Sequence, residues 1–161
     1  MTAAGVSPAE EPGTPFPSVD WFRRLADLMN DNRGRQEQLG YVDCVAAFTV
    51  LGAPGAVPFT VQVTFEEFAV VDVREAGAAD AGRADFVLEA TCDTWREMIE
   101  SIAAGGGRPD LRHTLNYLSH PGTPIRLRAD DPLRRDLYFR YNQSLQEFVN
   151  ASGSFRTTFP G

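Results

Sequence analysis

At 161 residues, 43% hydrophobic and 23% charged, the chain has the length and composition of one ordinary globular domain. Its net charge of −7 and pI near 4.8 exclude the usual electrostatic routes to nucleic acid and to anionic lipid surfaces. No apolar run approaches the roughly 18 residues a membrane helix needs, so no integral membrane association is expected.

All 15 basic residues are Arg. The lack of Lys removes Schiff-base chemistry on a lysine and reads as a high-GC, bacterial coding bias. Cys44 and Cys92 have no CxxC spacing, so free thiols in a reducing cytoplasm are expected, with the redox state of each left open. Residues 1–17 carry neither the basic flank nor the apolar stretch of a secretory signal, which again points to the cytoplasm. No spacing of His, Cys and carboxylates suits a metal. Gly105–Gly107 follows a helix rather than a strand, the wrong setting for a phosphate loop, and no Gly-x-Ser-x-Gly elbow occurs. No cofactor is therefore expected.

In chain order, residues 1–16 lack an apolar period and read as a disordered lead-in. Ser18 caps a helix striped by Phe22, Leu25, Leu28 and Met29, with Trp21 beside it. A short polar helix reaches Gly40. Strand one puts Val42, Cys44, Ala46, Phe48 and Val50 on one face, and a turn follows at 52–55. Strand two alternates Phe59, Val61, Val63 and Phe65 against Thr60, Gln62 and Thr64. Glu66-Glu67 turns into strand three, Phe68–Arg74, and a loop of small residues spans 76–82.

The stretch 84–102 organises the rest. Phe86, Leu88 and Ala90 alternate with Val87, Glu89 and Thr91, a half-buried strand. The period then changes, and Trp95, Met98, Ile99 and Ile102 make one helical stripe. Asp93 or Thr94 is the expected cap. After the glycines comes a helix with the stripe Leu111, Leu115 and Leu118, ended by Pro121-Gly122. A strand at 125–129 follows. Asp130-Asp131-Pro132 then starts a long helix to about Ala151, striped by Leu133, Leu137, Tyr141, Leu145 and Phe148. Residues 154–161 read as a flexible tail, leaving 17–153 as the single domain. Strands together and helices on one face predict an α+β, two-layer domain with a five-stranded mixed sheet.

This order resembles the sterol carrier protein family, of the sterol carrier protein 2 type. The residues that carry the likeness are 84–88, Trp95 in the helix that follows, and 125–129 leading into Asp130-Asp131 and the last helix. The likeness spans about 18–150. Where the family's last strand commonly ends Gly-Asp, this chain has Ala129-Asp130, and it ends Phe159-Pro160-Gly161 rather than in a peroxisomal tripeptide. The resemblance implies a hydrophobic cavity between sheet and helices, closed by the C-terminal helix, and an apolar small-molecule ligand of the fatty acyl, sterol-like or polyketide-like kind. With the aromatic load of the two layers, it selects Phe48, Val63, Phe86, Leu88, Trp95, Ile99, Leu115, Leu137, Tyr141 and Phe148 as ligand-binding residues.

Two other readings stay open. A pocket enzyme of bacterial secondary metabolism, an isomerase, cyclase or hydrolase, would need a carboxylate or His113 facing the cavity. Otherwise His113 caps or decorates the surface, and His120 sits in an exposed turn. An interaction module would bury the open sheet face in a homodimer through Val71, Val73 and Val87. Arg126 and Arg128 project from that same face.

Overall fold

The structure, a computed structural model, describes residues 13–52, 58–77, 83–120 and 122–159. The lead-in before residue 13, most of the turn at 52–55, residues 78–82 of the loop at 76–82, Pro121 and the last two residues lie outside the described residues.

The elements run β1 (Thr14–Pro15), α1 (Val19–Asp31), α2 (Arg33–Leu39), β2 (Cys44–Leu51), β3 (Phe59–Glu66), β4 (Ala69–Glu75), β5 (Phe86–Thr91), α3 (Cys92–Ala104), α4 (Leu115–Leu118), β6 (Arg126–Arg128), α5 (Pro132–Arg140), α6 (Asn142–Asn150) and β7 (Thr157–Thr158). β2 to β6 form a five-stranded mixed sheet in the order β4-β3-β2-β5-β6. β2 pairs antiparallel with β3 and parallel with β5, while β5 pairs antiparallel with β6. β4 and β5 therefore run parallel, on opposite sides of the β3–β2 pair. The protein is thus the two-layer α+β domain that the alternating and 3.6-residue periods predict.

The period of two decides which side chains meet the helices. Ala46, Phe48, Val50, Val61, Val63, Phe65, Phe86 and Leu88 are all buried against them. Trp95 in α3 packs on this face, and its Nε1 donates to the Thr49 carbonyl at 3.0 Å. Phe48 is the hub: its ring lies 5.3 Å from Phe22, 6.1 Å from Trp95 and 6.0 Å from Phe148. Each such ring contributes roughly 1.5–3 kcal/mol on burial.

The helix caps follow the sequence closely. Ser18 Oγ accepts from Trp21 N, and Asp131 caps α5 with Pro132 at its first position. The cap of α3 is Thr91, which accepts from Thr94 N, rather than the expected Asp93 or Thr94. The strand ends in an extended Thr91, so the helix starts two residues sooner than Asp93 capping would allow.

Three expectations are corrected. A bulge between Thr64 and Phe65 adds a residue to β4, so Val70 and Val73 turn to the helices while Val71 is left outside. Val73 is therefore core and no part of the open face. Asp110 and Thr114 each cap a short turn, which breaks the expected helix at 111–118 and leaves Leu111 85% exposed. The last helix breaks at Tyr141, with φ −103° and ψ 13°, and splits into α5 and α6. That break shifts the buried stripe of α5 from Leu133, which is 79% exposed, to Tyr138, which is fully buried.

The segments flanking the domain meet at its edge. Thr14-Pro15 pairs in parallel with Thr157-Thr158. Phe16 and Phe155 are buried, and Trp21 Nε1 donates to Thr157 Oγ1 at 3.0 Å.

Candidate functional site

The site expected from the sequence sits where β2, β3 and β5 face α3, α4 and α6. Phe48 and Val63 come from the two central strands and Phe86 and Leu88 from the parallel neighbour, all on one face. Trp95 and Ile99 descend from α3, Leu115 from α4 and Phe148 from α6. All eight are buried in one cluster, and Leu137 and Tyr141 pack at its border. Val63, Phe86, Leu88, Leu115 and Phe148 are 0% exposed. The two layers meet here: the residues fill the interface rather than line an open space.

α5 is the thinly held side of this interface. Of its nine residues only Tyr138 is buried. Leu133 and Phe139 are exposed, and Leu137 lies half-buried beside them. Tyr138 bridges the interior to a polar boundary. Its ring meets Phe86 edge-on, centroids 5.6 Å apart, and its hydroxyl lies 2.7 Å from Ser119 Oγ and 3.1 Å from the Leu115 carbonyl. Burial pushes this phenol above its ordinary pKa, partly offset by the Ser119 and Asn142 side chains beside it.

Solved structures share this architecture over most of the chain. A conserved hypothetical protein of Thermus thermophilus, put forward as a sterol carrier protein, superposes with a TM-score of 0.61 at 18% identity, covering 92% of this chain and 94% of its own. A crystal structure of sterol carrier protein 2 gives 0.60 at 20% identity, covering 86% and 97%. The sterol carrier protein domain 2 of Helicoverpa armigera gives 0.51 at 12%, covering 86% and 95%. The fold is that of the sterol carrier proteins. No family model matches the chain, and no curated protein matches it.

On this sterol carrier fold, a groove of about 610 Å³ lies outside Tyr138. It runs between α2, the 108–116 segment and α6. Asn116, Asn142, Gln143, Gln146 and Asn150 line it, with Leu39 and Leu111 as apolar wall. Sequence reasoning missed it. The stripe of α6 draws attention to Leu145 and Phe148, and the polar residues between them read as solvated surface. The available signal is compositional: these five are half of the ten Asn and Gln in the chain.

His113 stands apart from the interior. Its Nδ1 meets Asp110 Oδ1 at 2.8 Å on the turn before α4. That hydrogen bond is the main cause holding the Asp110 carboxyl below its usual range. Neither residue lines the groove. Among the described residues, no three His, Cys, Asp or Glu side chains cluster as a metal site, and no helix is long and apolar enough to cross a membrane. Both cysteines are free, and burial, with Asp85 and Asp43 nearby, pushes the Cys44 thiol up to about 12.

Proposed function

We propose that this protein binds a hydrophobic small molecule, of the fatty acyl, sterol-like or polyketide-like kind, between its sheet and its helix layer. The observation that carries the reading is the asymmetry of α5. That helix covers Phe86 with Tyr138, its one buried residue, while Leu133 and Phe139 are exposed and Leu137 packs half-buried at the border of the core. A ligand entering beneath α5 meets Leu137 at that border. Its burial is favourable by roughly 25 cal/mol per Å² of apolar surface, which offsets the parting of the packed rings.

The break at Tyr141 lets α5 move without α6, whose Leu145, Phe148 and Val149 remain in the core. Ligand then meets Phe48, Val63, Phe86 and Leu88 on the sheet, Trp95, Ile99, Leu115 and Phe148 on the opposite layer, and Leu137 and Tyr141 at the mouth. The names of the similar structures, which include sterol carrier protein 2, support the same ligand class.

Native mass spectrometry of the protein incubated with palmitic acid and with cholesterol tests this. A one-to-one adduct with at least one of them is expected. Bare protein in both, at ligand concentrations where a known lipid carrier is fully loaded, overturns the reading.

A further inference from the structure

The amide-lined groove extends the proposed site outward, and its assignment rests on the hydrophobic-ligand reading. Leu115 is the junction between the two. Its side chain is fully buried in the interior, while its backbone carbonyl accepts from Tyr138 Oη at 3.1 Å and its backbone N donates to Gln146 Oε1 at 2.8 Å. Gln146 Nε2 in turn donates to Asn150 Oδ1 at 2.9 Å. Asn142, beside Tyr138 and also lining the groove, holds its Nδ2 buried without a hydrogen bond of normal geometry. The polar boundary of the interior is therefore also the inner wall of the groove.

We infer that this groove holds the uncharged, hydroxyl-rich polar head of an amphiphilic ligand whose apolar part enters beneath α5. Carboxamides both donate and accept, which matches hydroxyl groups, themselves donors and acceptors. The groove brings together five of them, three on one stripe of α6 at positions 142, 146 and 150. Arg35 is paired with Glu147 at 2.6 Å, so Arg108 leaves the described lining with a net charge of +1. Such a wall offers a carboxylate a single guanidinium, but offers a sugar-like head several paired hydrogen bonds. The volume of about 610 Å³ admits a head of one or two sugar rings.

Three probes with one twelve-carbon chain test the inference: dodecyl maltoside, dodecanoate and 1-dodecanol, each titrated below its micelle concentration by calorimetry. The maltoside is expected to bind about tenfold tighter than dodecanoate. The exposed pair Asn116→Ala with Gln143→Ala is expected to erase that preference while leaving dodecanol affinity unchanged. Maltose alone at millimolar concentration should shift the side-chain amide NMR signals of Asn142, Gln146 and Asn150. Equal affinity for all three probes, with those amide signals unmoved by maltose, overturns the head-group assignment and leaves the hydrophobic-ligand reading standing. Failure of every probe to bind removes that reading and the head-group assignment with it.

Discussion

Phe86 and Tyr138 meet edge to face, ring centroids 5.6 Å apart and planes at 70°. This contact joins the sheet, through β5, to the helix with least burial of its own. Tyr138→Phe keeps the ring and deletes the hydroxyl. The Leu115 carbonyl retains its bond from Ser119 N, so the cost should be modest, about 1 kcal/mol by urea unfolding. The same variant should load ligand faster, since α5 loses a tether. Slower loading would mean that α5 is not the entry.

Trp95 is expected to be the more costly position. Its indole fixes α3 to β2 through the Thr49 carbonyl in a buried place. Trp95→Phe removes that donor and leaves part of the ring's volume empty. A loss of about 2–4 kcal/mol should follow, read as a lower urea midpoint at unchanged m-value.

The terminal ribbon makes a separate prediction. Trp21 is 1% exposed because Phe16, Phe22 and Phe155 surround it, at 4.8, 4.9 and 6.2 Å between centroids. Truncation before Phe155 should uncover its indole and lower the melting temperature by several degrees. Trp95 stays buried, so about half of the tryptophan emission should shift to the red. An unshifted spectrum would show that the ribbon does not shield Trp21.

Cys44 gives the alkaline limb of stability. Its thiol is favoured over thiolate in the fold, with the pKa pushed from 9.0 up to about 12 chiefly by burial. Above pH 9 the unfolded chain loses this proton and the folded one keeps it. Stability is therefore complete below pH 9 and falls as pH rises from 9 toward 12, on the order of 1.4 kcal/mol per unit. Cys44→Ala should flatten that slope in unfolding curves taken from pH 8 to 10.5. Labelling by a thiol reagent at pH 8 should reach half-exposed Cys92 first, and Cys44 only as the domain opens. Simultaneous labelling would contradict its burial.

The strands and their faces were legible because alternation leaves no choice. Ala46, Phe48, Val63, Phe86 and Leu88 share one face because the period of two leaves them no other, even though Thr49 and Gln62 on the opposite face are buried as well. The parts that escaped are those where one local interaction overrides a period. The bulge at Thr64–Phe65 turns Val73 inward. The Thr114 cap ends a stripe that would otherwise bury Leu111. At Tyr141 the backbone leaves the helix and moves the buried side of α5 to Tyr138. The groove was illegible for another reason: Asn116 joins Asn142, Gln146 and Asn150 only through tertiary packing, and no sequence spacing announces that.

Titration of the purified protein with the fluorescent fatty acid cis-parinaric acid tests the central claim most directly. Saturation at one ligand per chain is expected, with the signal displaced by palmitic acid. A linear, unsaturable signal would contradict a ligand between the layers.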